Sequence, residues 1–258
     1  MLDDAIAAAG AAADAAGAVI RRYFRAADLA ADDKADQSPV TVADREAEQA
    51  IRTVLARHFP DHAVLGEELG GAGGGRYRWV IDPIDGTRAF ITGRPLFGTL
   101  LALFDGDRPI LGVIDQPVTG ERWIGAAGRP TSFRGPWGGT PGCRRCASLN
   151  QAELSATSPD VFTGELRPGW ERLSRAARRT GFGGDCYAYG LLALGLLDVV
   201  VEATMKLWDW GALVPVVEGA GGRITDWQGR ALRPDGDGCV LAVGDAALLA
   251  EATRMLAD

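Results

Sequence analysis

The chain has 258 residues, 47% of them hydrophobic and 24% charged, with a formal net charge of -7. That length can bury a core in one large domain or two modest ones, and the composition is that of a globular rather than a disordered chain. The negative charge argues against nucleic acid or an anionic membrane surface as a bulk partner, so a phosphate ligand needs a local device such as metal ions or a helix N-terminus.

The opening Met1-Leu2-Asp3-Asp4 lacks the basic segment of a secretory signal, and a cytoplasmic protein is expected. Residues 3–27 are Ala-rich with apolar residues at helical spacing, closing on Val19, Ile20, Tyr23 and Phe24. Ala30 to Val40 is polar, carries Pro39 and reads as a loop. Thr41-Val42-Ala43-Asp44 fits a capping box before a second helix through about His58, with Ala47, Ile51 and Leu55 on one face. Ala63-Val64-Leu65 reads as a strand ending at Gly66, and Gly70 to Gly75 as a flexible glycine loop. Trp79-Val80-Ile81 has the character of a buried strand. Apolar runs at 96–104, 110–115 and 121–126 follow, separated by turn residues, which predicts an antiparallel meander.

The segment Gly135 to Gly142 marks a boundary between halves 1–135 and 136–258. Beyond it the pattern predicts helices near 168–179 and 186–196, a strand near 198–202 and a helix over 209–220 that Pro215 should kink. A strand–helix pair from Cys239 to Leu256 closes the chain. The most apolar stretch, Ala188 to Val201, is interrupted by Asp198 and too short for a bilayer, which takes about 20 residues. Cys143 and Cys146 form one CxxC, but a zinc site wants a second ligand pair. His58 and His62, the only histidines, lie far upstream, so the reading is structural thiols and surface histidines. Two helices, then strands, then alternating elements predict a layered α+β fold with two halves.

The informative segment is Trp79-Val80-Ile81-Asp82-Pro83-Ile84-Asp85-Gly86-Thr87. A buried strand delivers Asp82, Pro83 stiffens the chain, and Asp85 returns a second carboxylate. Gly86-Thr87 opens a short helix whose free N–H groups can cradle phosphate. Two carboxylates on a rigid turn suit hard cations such as magnesium, with Glu67 and Glu68 as natural further ligands. A metal pair about 3.5–4 Å apart would activate water and stabilise the leaving oxygen. Alone, Asp-x-x-Asp-Gly is equally a turn and Glu-Glu a solvated loop. Asp209, between Trp208 and Trp210, is either a plain N-cap or a carboxylate buried for a metal.

Gly66-Glu67-Glu68, the Asp82–Thr87 segment, Trp208-Asp209 and Glu218-Gly219-Ala220-Gly221-Gly222 resemble the inositol monophosphatase family of lithium-sensitive phosphatases. The resemblance runs nearly end to end and includes Lys34, Thr41 and Asp44. It implies a layered α/β/α/β/α sandwich of the inositol monophosphatase and fructose-1,6-bisphosphatase type, a homodimer. The first half carries most metal ligands, and the second carries Asp209 and the specificity residues. It further implies that Glu67, Asp82, the Ile84 carbonyl, Asp85 and Asp209 hold two to three Mg2+ ions. Thr87 and Asp44 would activate the attacking water with Glu67 beside them, and the Gly86 and Thr87 amides would hold phosphate. Hydrolysis of a small phosphate monoester by direct in-line attack, without a phosphoenzyme, is the implied reaction.

Within the family, Gly112-Val113-Ile114-Asp115-Gln116-Pro117 and Gly120-Glu121-Arg122-Trp123 resemble the histidinol-phosphatase branch. Gly93 to Thr99 and Gly183-Gly184-Asp185-Cys186-Tyr187-Ala188-Tyr189 point the same way. L-histidinol phosphate carries an ammonium and an imidazole, so its leaving group wants acidic residues. Asp185 and Glu202 are the substrate-binding candidates, although Asp185 also fits as a helix cap. Inositol-1-phosphatase, or a broad polyol and sugar phosphatase, is the alternative; a non-catalytic relative fits poorly because every expected ligand is present. Other phosphatase chemistries fit badly too. A haloacid-dehalogenase-type site needs its aspartates two apart, whereas Asp82 and Asp85 are three apart, and no Cys-x5-Arg exists.

Overall fold

The computed structural model describes residues 1–27, 31–33 and 39–257, so Lys34 lies outside the described residues. Helix α1 (Leu2–Tyr23) buries a stripe of Ala5, Ala8, Ala9, Ala12, Ala13, Ala16 and Ile20. It ends at Tyr23 rather than near 27 because Phe24 turns extended and Arg25 takes φ 61. The predicted loop at 30–40 holds a short antiparallel pair, β1 (Ala31–Asp33) and β2 (Pro39–Thr41). Helix α2 (Val42–His58) opens on the predicted capping box. Thr41 Oγ1 accepts from the Ala43 N–H at 3.1 Å, and Asp44 Oδ2 accepts from the Thr41 N–H at 2.8 Å.

Next come β3 (Ala63–Gly66), β4 (Gly70–Ala72), β5 (Tyr77–Asp85), α3 (Thr87–Ile91), β6 (Gly98–Asp105), β7 (Arg108–Gln116), β8 (Glu121–Ala126) and β9 (Ser132–Arg134). They form a seven-stranded sheet ordered β4-β3-β5-β6-β7-β8-β9. From β5 to β9 it is the predicted antiparallel meander, while β3 runs parallel to β5. The glycine loop at 70–75 begins instead as edge strand β4, folded back antiparallel on the open side of β3.

The second half contributes β10 (Glu153–Ala156), α4 (Leu166–Ala176), β11 (Arg179–Phe182), α5 (Asp185–Ala193), β12 (Val199–Glu202), α6 (Leu207–Trp210) and α7 (Leu213–Gly219). It closes with β13 (Arg223–Thr225), β14 (Val240–Val243) and α8 (Leu249–Ala257). The sheet order is β11-β10-β12-β14-β13. The single helix predicted over 209–220 is two, α6 and α7. Pro215 falls in the first turn of α7, where the missing N–H has no intrahelical partner to lose, so it does not kink the helix.

Strand alternation sorts the core into layers. Trp79, Ile81, Leu101, Leu103, Leu111 and Val113 pack on α1 and α2. Val80, Leu100, Ala102 and Phe104 face the other way, onto α5 and α7, which in turn meet Val200, Val240 and Ala242 of the second sheet. The opposite face of that sheet, Val199, Val201, Leu241 and Val243, packs with Trp170, Leu173 and Ala252 from α4 and α8. The result is the expected α/β/α/β/α layering. Helix α7 lies directly on the first sheet: a Cβ at Gly112 would come within 2.0 Å of the Ala212 carbonyl oxygen, and one at Gly125 within 2.2 Å of Pro215. Among the described residues no helix is long and apolar enough to cross a membrane.

His58 is exposed as expected, but His62 is half-buried. Its ring stacks on Phe59 with centroids 4.7 Å apart, and burial lowers its pKa. The branch-typical residues Asp115 and Arg122 are structural. Arg122 donates to Asp115 at 2.5 Å, to Asp14 at 2.8 Å and to the Gly10 carbonyl at 3.1 Å, fastening α1 to the sheet.

Candidate active site

Residues at odd spacing on a regular strand point to opposite faces, so Asp82 and Asp85 should diverge. They do not, because β5 carries a bulge between them. Asp82 pairs with Leu100 and Asp85 with Gly98, so three steps on β5 face two on β6. Pro83 lies inside the bulge, where its missing N–H costs no ladder bond. The irregular backbone is held by Thr99 Oγ1, which donates to the Pro83 carbonyl at 2.8 Å, and by the Ile84 N–H, which donates to Asp82 Oδ1 at 3.0 Å.

Asp209 arrives from α6 in the other half, its Oδ2 accepting the Lys206 N–H at 2.6 Å. Asp82, Asp85 and Asp209 each offer a carboxylate oxygen, and the three oxygens lie within 4.8 Å of one another. Glu67, on the turn after β3, shares a hydrogen bond with Asp82 and places its charge beside Asp44 and Asp209. Burial, then the neighbouring carboxylates, push Asp82 and Asp85 well above the ordinary aspartate range. Burial pushes Asp209 to about 7, against the Lys206 N–H bond that favours its charge. Packed carboxylates that raise one another's pKa need a cation to ionise together. An all-oxygen donor set fits a hard divalent ion such as Mg2+.

Asp44 has two sides. Oδ2 serves the α2 cap, taking the Thr41 hydroxyl at 2.6 Å as well as its N–H. Oδ1 lies 3.4 Å from Thr87 Oγ1, which is also 3.1 Å from the Ile84 carbonyl. Burial raises the Asp44 pKa, and the Thr41 bonds oppose that. Gly86 sits at the N-cap of α3 with φ 91, a left-handed conformation glycine takes without strain.

The substrate candidates come from two elements of the second half, α5 and β12. Asp185 is the first residue of α5, at φ 43, and makes no capping bond; Gly184 holds the N-cap position. Its carboxylate lies against the Gly86–Thr87 turn, since a Cβ at Gly86 would fall 3.1 Å from Asp185 Oδ2. Burial raises its pKa to about 6, opposed by Arg88 and Arg94. Glu202 ends β12, 6% exposed, and accepts the Thr157 N–H at 2.6 Å. Burial lifts it to about 8, with the Asp185 and Asp209 charges adding to the rise. Sequence reasoning missed the Cys186 amide, which donates to Asp85 Oδ2 at 2.6 Å and so ties the α5 start to the β5 end. It also missed Glu48, buried on α2, whose carboxylate accepts the Glu68 N–H at 2.8 Å. A main-chain donor and a buried acid on an otherwise regular helix leave no motif to find.

Residues 1–257 match the model of the inositol monophosphatase family. The bifunctional phosphatase IMPL2 of Arabidopsis thaliana, a chloroplast protein, is 49% identical over 233 residues, 89% of this chain; the match spans 66% of that relative's length. Histidinol-phosphatase of Mycobacterium tuberculosis is 37% identical over 250 residues, 95% of each chain. Among solved structures, an inositol monophosphatase from Zymomonas mobilis superposes with a TM-score of 0.89 at 47% identity, over 98% of each chain.

Proposed function

The chain belongs to the inositol monophosphatase family, whose phosphatases are metal-dependent and generally use Mg2+, and from that premise we propose that it hydrolyses L-histidinol phosphate to L-histidinol and phosphate. The observation that carries the choice of substrate is the pair Asp185 and Glu202. Two partly or fully buried acids stand beside the carboxylate cluster, and the Asp185 charge adds to the rise at Glu202. An uncharged polyol gives such a pair no partner, whereas the ammonium and imidazole of histidinol do. The histidinol-phosphatase of M. tuberculosis, similar along 95% of its length, supports the same substrate.

In this proposal Glu67, Asp82, the Ile84 carbonyl, Asp85 and Asp209 hold two to three Mg2+ ions. When bound, these supply positive charge to the phosphoryl oxygens and acidity to the attacking water. Thr87 accepts a proton-bearing contact from that water and passes its own hydroxyl proton toward Asp44 Oδ1, 3.4 Å away. The Gly86 and Thr87 amides hold the phosphate at the start of α3. Asp85 is kept in place by the Cys186 amide, so the two halves meet at the reacting group. Residues 1–135 thus supply most of the metal and water side, and 136–258 supply Asp209 and the leaving-group side. A cytoplasmic homodimer completes the proposal.

A second reading is hydrolysis of inositol 1-phosphate, favoured by the 47% identity to the Z. mobilis inositol monophosphatase. Phosphate release from both esters, measured side by side with Mg2+ and with chelator, separates the two. A magnesium-dependent preference for histidinol phosphate is expected. Preference for the inositol ester would keep the mechanism and overturn the substrate, and release that survives chelation would overturn the metal assignment.

A further inference from the structure

Glu67 sits on the turn between Gly66 at the end of β3 and Gly70 at the start of β4. Behind that turn lies Glu48 of α2, fully buried. Its Oε2 accepts the Glu68 N–H at 2.8 Å, and both oxygens take the Leu69 N–H at 3.3 Å. The charge is met by Arg52, one helical turn on, whose Nε donates to Glu48 Oε1 at 2.7 Å. The same guanidinium donates through Nη2 to the Gly70 carbonyl, so the pair holds the turn from Glu68 to Gly70. Gly66 is part of the device. A Cβ there would lie 1.9 Å from Glu48 Oε1, so only glycine lets the carboxylate reach the amides that follow. On the far side the Glu67 N–H donates to the Ile81 carbonyl at 3.1 Å, one residue before Asp82.

We infer that Glu48, clamped by Arg52, is the positioning residue that fixes the Glu67 carboxylate against Asp82. The inference rests on the proposed metal role of Glu67. A buried carboxylate has to be paired and hydrogen-bonded to be tolerated; here Arg52 pairs with it and all of its amide bonds go to one turn. Burying a charge to hold a surface loop makes physical sense when the loop carries a group whose position must not drift. A neutral side chain would satisfy at most part of the two amides and would leave Arg52 without its partner.

Mn2+ serves as the probe ion, titrated by calorimetry into chelator-stripped protein. Glu48→Ala is expected to weaken Mn2+ binding by about 10- to 100-fold, the usual effect of losing a group that orients a metal ligand. Glu48→Gln, which keeps one acceptor oxygen, should fall between that variant and the parent and covers the case in which Glu48→Ala fails to fold. In a Glu67→Gln background, Glu48→Gln should have no further effect on Mn2+ affinity, because the residue acts only through Glu67. A merely structural residue would lower the melting temperature of the metal-free protein while leaving Mn2+ affinity unchanged, or would act additively with Glu67→Gln; either result overturns the inference. Parent protein that binds no Mn2+ and releases no phosphate from either ester would overturn the proposed function, and the inference with it.

Discussion

Replacing Asp82 by Asn removes one charge from the cluster without changing its shape, since the amide oxygen can still accept the Ile84 N–H now bonded at 3.0 Å. Without metal, Asp82 faces Asp85 and Asp209 with oxygens no more than 4.8 Å apart. At an effective dielectric constant of about 20, each fully charged pair at that distance repels by about 3.5 kcal/mol. Burial first, and this repulsion after it, favour the protonated forms, so the carboxyls titrate high. A folded-state pKa above the unfolded value means that the native state binds more protons, so stability is present at low pH and lost as pH rises. For Asp209 that window runs from about 4 to about 7. Metal-free Asp82→Asn is therefore expected to be more stable than the parent at pH 8, by about 1–3 kcal/mol after proton uptake is allowed for, or about 3–10 °C in melting temperature. At pH 4 the gain should disappear. The rise in melting temperature on adding Mg2+ should be largely lost in the variant, and phosphate release should be abolished. Thermal melts at both pH values, with and without Mg2+, test all of this together. A variant that melts below the parent at pH 8 without metal, or that keeps the parental Mg2+ response, would refute the like-charge account.

Asp185→Ala should raise KM for histidinol phosphate about tenfold, near 1.4 kcal/mol, and leave KM for inositol 1-phosphate within about twofold; equal losses on both would remove Asp185 from substrate recognition. Glu202 keeps its proton up to about pH 8 when folded and releases it near its ordinary value of 4.5 when unfolded. The metal-free parent should therefore lose stability across that window, and Glu202→Gln should lose less; an equal drop in unfolding free energy from pH 5 to pH 8 in both proteins, read from denaturant titrations, would contradict the burial. Gly125→Ala pushes a Cβ to within 2.2 Å of the Pro215 backbone and should cost about 1–3 kcal/mol by displacing α7, seen as a lower melting temperature with the Mg2+ response retained.

The convergence of Asp82 and Asp85 was legible because both stand in one segment. Asp82 and Asp85 stand either side of Pro83, and a proline inside a strand announces a bulge or an edge. The capping box was legible for the same reason, since Thr41 and Asp44 satisfy each other three residues apart. What stayed hidden depends on long-range pairing. β10, β11 and β13 are three or four residues long, too short for a periodic pattern, and become strands because a neighbour takes their backbone bonds. Pro215 was misread because its cost depends on where the helix begins, which Gly211 and Ala212 decide by separating α6 from α7.

The hidden and the visible parts meet in a single physical constraint. A site made of like charges cannot hold itself together, because each carboxylate is pushed away by the next; its geometry has to be imposed by neutral donors from behind. Asp82 is held by the Ile84 N–H, Asp85 by Cys186, Asp209 by Lys206 and Asp44 by Thr41, each through a backbone amide at 2.6–3.0 Å. Glu67 is held by its own backbone, through Ile81 in front and through the Glu48 contacts to Glu68 and Leu69 behind. Main-chain donors carry no side-chain signature, so a sequence displays the charges and conceals the scaffold. Substituting the acids therefore tests the chemistry, whereas substituting what stands behind them, Glu48 above all, tests how rigidly the chemistry is placed.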